Sequence, residues 1–145
     1  MDMLSLLLIK GCLFATFLTT ASIYDLRTRE IPNWISFALL LTGCLQLHLG
    51  SAMFGLFLTG APYLIAAMIT NGKIGGGDIK LMAACGFVLG AGGGLLQSII
   101  GLSLVLLAAV GIALCNGIPS AKKTALPLAP FLSAGGFFAF ILTHL

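Results

Sequence analysis

Long apolar stretches run through almost the whole chain, and they limit its fold more than any single motif does. Of the 145 residues, 59% are hydrophobic and only 8% are charged, whereas a soluble domain is nearer half apolar and a quarter charged. A core of this size could not hide so much apolar surface, so most of the chain must face lipid. At about 20 residues per spanning helix, there is room for roughly six helices. The sequence therefore predicts an all-α polytopic membrane protein, organised as one transmembrane domain over residues 1–145.

The apolar segments and the glycines between them set the expected helices. The predicted spans are about 3–22, 34–49, 53–70, 79–91, 95–115 and 128–145. The fourth and fifth are separated at the triplet Gly92-Gly93-Gly94, because consecutive glycines disfavour helix and permit a turn. The start carries Asp2 and lacks a basic region, and Lys10 interrupts the first apolar run. We therefore expect a retained first helix rather than a cleaved signal peptide.

The basic residues cluster in alternate connections. Apart from Lys10, the seven Lys and Arg residues lie in or beside the first, third and fifth connections: Arg27, Arg29, Lys73, Lys80, Lys122 and Lys123. In a six-helix chain these connections share one side of the membrane. The positive-inside rule places them in the cytoplasm and both termini outside, with contact to anionic membrane lipid as a secondary role. The net charge of +3 is too small to indicate a nucleic-acid partner.

Two of the four acidic residues are candidates for chemistry. Asp25 falls at the cytoplasmic end of the first predicted helix and Asp78 at the start of the fourth, so both are expected at one face. Carboxylates at the membrane boundary are costly and indicate function by default. Two of them within hydrogen-bond reach share a proton, as in aspartic proteases. Alternatively, each acid reaches water or caps a helix, a role that Asp78 could fill for the fourth helix.

Three motifs follow one another in the chain. They are D-x5-I-P-N from Asp25 to Asn33, G-G-G-D from Gly75 to Asp78 followed by Ile79-Lys80-Leu81, and P-L-A-P-F-L from Pro127 to Leu132. Together, in this order, they resemble the type IV prepilin peptidase family over essentially the whole chain. The resemblance implies that Asp25 and Asp78 are the two catalytic aspartates of a GxGD-type aspartic endopeptidase. Presenilin-like intramembrane proteases share the Gly-x-Gly-Asp motif and are the nearest alternative.

The resemblance also implies a substrate and a location. Such an enzyme, a hydrolase, would remove the leader peptide from prepilins or pilin-like proteins at the cytoplasmic face of the inner membrane. It would need water but no metal or organic cofactor, with the pilus assembly machinery as a further partner. Longer bacterial members carry an N-terminal region with paired cysteines that is associated with N-methylation. The four cysteines here are not paired in sequence, so the chain resembles the short form of tight-adherence pilus systems, or archaeal relatives, and methyltransferase activity is not expected.

Supporting roles are predicted around the acids. Substrate contact is expected at Gly75, Gly76, Gly77 and Pro130, and structural support at Ile31, Pro32, Asn33 and Lys80. Glycines let a backbone approach closely, while Pro32 suits a helix start and Asn33 is a plausible cap. On a helix Lys80 points about 200° away from Asp78, which favours contact with lipid headgroups over an ion pair.

The two histidines are predicted on the opposite side of the membrane from Asp25 and Asp78. His48 and His144 lie near the outer ends of their predicted helices. A joint metal centre with Asp25 and Asp78 is therefore not expected, and no histidine could activate a serine or cysteine nucleophile at the cytoplasmic face.

Two further functions are compatible with a small polytopic chain. A proton-coupled transporter or channel subunit would carry acids near the membrane midplane beside broken helices. A structural partner of a secretion machine would tolerate Asn at both Asp25 and Asp78. The placement of both acids at one face favours the peptidase.

Overall fold

The computed structural model describes residues 2–46, 48–123 and 125–144, and within them all regular structure is helical. The elements are α1 (Met3–Thr28), α2 (Asn33–Gly43) with a 3-10 turn at Cys44–Gln46, α3 (Leu49–Ile69), α4 (Gly76–Asn116), α5 (Ile118–Lys123) and α6 (Leu128–His144). The predicted all-α class is confirmed. Helix α1 runs further than the predicted 3–22 and so includes Asp25. The predicted second span, 34–49, is too long, because α2 ends at Gly43 and Leu49 already begins α3. The predicted end of the last helix, Leu145, lies outside the described residues.

The outer surface of the helices is apolar, as a membrane requires. Three helices, α1, α3 and α4, are long and apolar enough to span a bilayer, and α2 and α6 are shorter apolar helices. Large hydrophobic side chains such as Phe57, Met68 and Leu107 are more than half exposed. A soluble protein does not present apolar surface on this scale. The chain is therefore a polytopic membrane protein.

Helix α4 is two helices joined by a reversal. Its 41 residues would extend about 60 Å if straight, twice the hydrocarbon thickness of a bilayer. Gly90 has φ 77° and ψ 178°, outside helical geometry. A Cβ atom on Gly94 would lie only 3.0 Å from the Cα of Gly86, although eight residues of straight helix span about 12 Å. The chain therefore folds back at Gly90 into two arms, residues 76–89 and 91–116.

The predicted break at Gly92-Gly93-Gly94 is wrong by a few residues. The reversal needs a positive φ, which Gly90 supplies at no steric cost. Gly93 and Gly94 are instead buried in the second arm of α4. There the absence of side chains lets this arm lie close to Thr59 of α3 and to the first arm.

Small residues also bring the other helices together. Thr59 of α3 donates its hydroxyl to the carbonyl of Met82 in α4 at 2.9 Å. Gly135 of α6 lies where a Cβ atom would meet the backbone of Gln97 and Gly101. Close approach of this kind is the usual basis of helix packing in membranes. Around these contacts the core is filled by buried apolar side chains, among them Phe14, Leu18, Ile35, Leu39 and Leu81.

The connections sort into two ends. The α1–α2 connection and the loop before α4 line one cavity, and Arg29 after α1 also bonds the chain before α6. His48 before α3, the turn at Gly90 and His144 of α6 line a cavity together with Lys10. Alternate connections thus share an end. That the first end faces the cytoplasm stays a prediction from the basic residues, and so does the organisation as one domain.

Candidate active site

Asp25 is fixed in the last turn of α1 and points at the start of α6. Its side chain is buried, and Oδ2 accepts a hydrogen bond from the backbone N–H of Ala129 at 3.0 Å. Its carbonyl accepts the N–H of Arg29, which ends α1 in the left-handed conformation at φ 58°. An N–H at a helix N-terminus stabilises a carboxylate through both the hydrogen bond and the helix dipole. The start of α6 therefore holds one oxygen of Asp25 in place.

Asp78 has a different environment in the first turn of α4. It is buried, and its Oδ1 has no hydrogen-bond partner among the described residues. Gly75 holds the N-cap position of α4, with no side-chain capping bond, so the alternative of Asp78 as a helix cap is not seen. A buried oxygen without a partner is costly. Asp78 therefore keeps one oxygen free for a proton, water or another ligand.

The two acids face one cavity of about 360 Å³. The two acids are more than fifty residues apart in sequence, and their charges are close enough to interact. The cavity is lined by Asp25, Arg29, Glu30, Ile31, Gly75, Gly76, Gly77 and Asp78. All three glycines that sequence reasoning assigned to the substrate are in this lining. The volume is ample for ordered water, which needs far less space.

The three glycines are not equivalent. A Cβ atom on Gly77 would lie 3.0 Å from Cβ of Ile31 and 3.3 Å from its carbonyl oxygen. On Gly75 it would make only an ordinary contact, 3.6 Å from Oδ2 of Asp78, and on Gly76 it would meet nothing within 4 Å. Gly77 therefore packs the loop against the buried Ile31 of the first connection. Gly76 faces open space.

The predicted supporting residues join the starts of two helices. Lys80 donates a hydrogen bond from its ammonium to Oδ1 of Asn33 at 3.0 Å. The N-cap of α2 is Pro32, without a side-chain capping bond, and Asn33 is the first helical residue. The predicted cap by Asn33 is therefore wrong. Its side chain ties α2 to α4 instead.

Pro130 lies apart from the other predicted substrate residues. It is half-buried in the first turn of α6 and is absent from the lining of the acid cavity. The contact from this turn is made by the neighbouring residue, through the N–H of Ala129.

Sequence reasoning missed three contributors to this site. Arg29, assigned to topology and secondarily to anionic lipid, lines the cavity and donates to the carbonyl of Ala125 at 2.6 Å, holding the chain before α6 against the end of α1. Glu30 lines the same cavity. Arg29 lies four residues after Asp25, and this spacing could have suggested from the sequence that both belong to one site. The N–H of Ala129 is a backbone group, so the sequence gives no sign of its contact with Asp25. In the described part of the chain, no group of three or more His, Cys, Asp or Glu side chains could hold a metal ion.

Comparison with known proteins identifies the family. The model of the type IV leader peptidase family matches residues 12–118, well over half of the chain. The chain belongs to this family. The resemblance inferred from the motifs is thus confirmed, and the matched leader peptidase region includes both Asp25 and Asp78.

A curated member of the same family aligns beyond that region. The prepilin leader peptidase/N-methyltransferase of Bacillus subtilis (strain 168) is 34% identical over 144 residues, covering 95% of this chain. The alignment covers 57% of the relative, so the chain spans little more than half of its length. No solved structure matches.

Proposed function

We propose that this leader peptidase family member is an aspartic endopeptidase of the cytoplasmic (inner) membrane that removes the leader from prepilins or pilin-like precursors. The observation that carries the proposal is the shared cavity of Asp25 and Asp78, with one carboxylate held by an N–H and the other left with a free oxygen. Family membership and the printed name of the Bacillus subtilis relative support the same reaction class.

The unequal hydrogen bonding supports unequal roles for the two acids. Asp25, bonded to the N-terminus of α6, acts as the ionised base that takes a proton from water. The water oxygen then attacks the carbonyl carbon of the scissile peptide. Asp78 carries the shared proton and donates it to the carbonyl oxygen, so that a neutral gem-diol forms. The proton held by Asp25 passes to the leaving nitrogen as the C–N bond breaks, and Asp78 recovers its proton from the diol.

The substrate segment binds as an extended strand beside residues 75–77. Gly76 leaves free space next to the acids, and a peptide without side-chain obstruction can bring its backbone close there. The outer faces of the helices are apolar and exposed. A precursor anchored by its own apolar helix would therefore enter sideways from the membrane.

The test is cleavage of a co-expressed cognate prepilin, followed as a gel shift. The variants are Asp25→Asn and Asp78→Asn, with Asp2→Asn, an exposed acid outside the cavity, as the matched control. We expect wild type and Asp2→Asn to cut, and the other two to insert normally and remain inert. If Asp25→Asn or Asp78→Asn cuts at near the wild-type rate, the acid that it replaces is not catalytic.

The transporter alternative is not favoured by the positions of the acids. Such a protein would place its broken helix beside the carboxylates. Here the break at Gly90 lines the Lys10 cavity, away from the cavity of Asp25 and Asp78.

A further inference from the structure

Lys10 is a buried cation at the end of the bundle opposite to the acids. It precedes Asp25 by fifteen residues of α1, or about 22 Å along the helix. Its side chain is only 4% exposed, and no acceptor or acid among the described residues pairs with its ammonium. Its charge instead acts on His144, another basic group. An unpaired cation inside a membrane protein is costly, and such residues mark functional sites.

The ammonium lies in a cavity of about 290 Å³ whose lining, in the described part of the chain, includes no acidic side chain. Besides Lys10, its polar lining consists of His48, Ser51 and His144. His48 is also the N-cap of α3 and makes no side-chain capping bond there. The N–H groups of Leu49, Gly50 and Ser51 have no partner among the described residues, since the first bond of α3 is donated by Ala52.

This arrangement suits an anion. The N-terminus of a helix carries partial positive charge and free N–H donors, a combination that binds phosphate and other oxyanions. A cation beside it is repelled unless negative charge lies between the two. Lys10 and the start of α3 line the same cavity, so an oxyanion placed there would satisfy both.

Apolar grooves continue from this cavity along the surface. His144 also lines a cavity with Leu7 and Thr143. Leu7 in turn lines an apolar groove of about 260 Å³ between α1 and α6, with Gly11, Phe14 and Phe140. A polar cavity with positive charge thus leads into a strip of hydrocarbon-like surface. The cavity suits the phosphate of a phospholipid, and the apolar strip suits its acyl chain.

We propose that this end of the protein binds the phosphate group of a phospholipid. The phosphate oxygens accept hydrogen bonds from Lys10 and from the free N–H groups at the start of α3, and one acyl chain lies in the groove between α1 and α6. The phosphate chemistry alone would also fit free phosphate. The adjoining apolar groove assigns the lipid as the source. This site is independent of the proposed peptidase activity.

The test is thermal unfolding of the full chain, purified in detergent, with three probes. These are inorganic phosphate, dihexanoylphosphatidylglycerol, and dihexanoylglycerol, which has the same chains without phosphate; sodium chloride at equal ionic strength is the salt control. We expect a saturable rise in Tm with the phospholipid at concentrations at least about tenfold below those needed for phosphate, since apolar burial adds to the phosphate contact. No saturable rise with either phosphate-containing probe overturns the site. An equal response to both overturns the lipid assignment.

Variants separate the two parts of the site. Lys10→Met should lower the affinity for both phosphate-containing probes about tenfold or more, as the loss of a charge-assisted hydrogen bond does. The exposed Lys73→Met removes the same charge elsewhere and should respond like wild type. A wild-type response from Lys10→Met contradicts the proposal.

Two milder variants decide the matter should Lys10→Met fail to fold. His144→Phe keeps the stack on Phe140, whose ring centroid is 4.7 Å away, but removes the ring nitrogens, and it should weaken both phosphate-containing probes. Gly11→Val places its side chain against the edge of the Phe140 ring, where a Cβ atom would lie at 2.8 Å. This variant should lower the affinity for the phospholipid but leave the affinity for phosphate unchanged. Unaltered responses in both variants overturn the proposal.

Discussion

The two ends of the bundle treat buried charge in opposite ways. At the acid end, a carboxylate meets a helix N-terminus, since Asp25 accepts the N–H of Ala129 in α6. At the other end, a cation meets one, since Lys10 shares its cavity with the start of α3. The first pairing stabilises itself and the second does not. The difference teaches that a backbone N–H already positions the first carboxylate at the acid end, whereas the proposed phosphate would play the matching part at the Lys10 end.

The largest expected effect on stability lies at the turn that closes the Lys10 end. Gly90→Ala should destabilise the protein by roughly 3 kcal/mol, because φ 77° with ψ 178° is a conformation that is essentially restricted to glycine. Its Cβ atom would also lie 2.5 Å from Oγ of Ser51. Equilibrium unfolding in mixed micelles measures the change. Gly92→Ala is the matched control, since nothing lies within 4 Å of its Cβ position; equal losses in both would break the assignment of the reversal to Gly90.

The two acids should differ in their contribution to the stability of the protein, as they differ in hydrogen bonding. Asp25→Ala removes the acceptor for the N–H of Ala129 and should cost about 1–2 kcal/mol, as the loss of a helix cap does. Asp78→Ala removes a buried oxygen without a partner among the described residues, so it should leave the free energy of unfolding unchanged or raise it. The same unfolding assay compares them. A larger loss at Asp78 than at Asp25 would contradict the asymmetry on which the proposed roles rest.

The loop before Asp78 should be sensitive at one glycine only. Gly77→Ala brings a methyl group against Ile31 and should destabilise by about 1 kcal/mol, a mild overpacking effect. Gly76→Ala enters open space and should be neutral or stabilising by a few tenths of a kcal/mol, because it reduces the freedom of the unfolded chain. Melting temperatures of the pair measured side by side test this. The prediction fails when the order is reversed.

The smallest effect belongs to the bond between Lys80 and Asn33. Both partners are exposed, so their coupling should be only about 0.5 kcal/mol. A double-mutant cycle with Lys80→Met and Asn33→Ala measures it. A coupling above about 2 kcal/mol would mean that this bond, rather than the packing of Gly77 on Ile31, fixes the loop.

The sequence was sufficient for the features that depend on length and charge. Apolar segments long enough to span lipid predicted the helices, and the alternation of basic residues predicted which connections share an end. The same topology led to the prediction that Asp25 and Asp78 converge. It could not distinguish Gly90 from the triplet at 92–94, because only the backbone angle in the folded chain separates them.

Contacts made by backbone groups or by tertiary packing also escaped prediction. The N–H of Ala129 carries no side-chain signal, and the bond between Asn33 and Lys80 forms only once α2 and α4 are packed side by side. Lys10 was noted as unusual, but the start of α3 and His144 become its neighbours only in the folded bundle.

The central claim is that Asp25 and Asp78 act as one proton-sharing pair, and single-turnover cleavage by the double Asn variant tests it most directly. Rates are measured for wild type, Asp25→Asn, Asp78→Asn and the double variant over long incubations with the same prepilin. Each single change should slow cleavage by about 10³-fold, the scale of a lost general acid or base, and the double variant should be no slower than the singles within about threefold. Losses that multiply in the double variant, or a single variant that cuts at the wild-type rate, would contradict a shared pair.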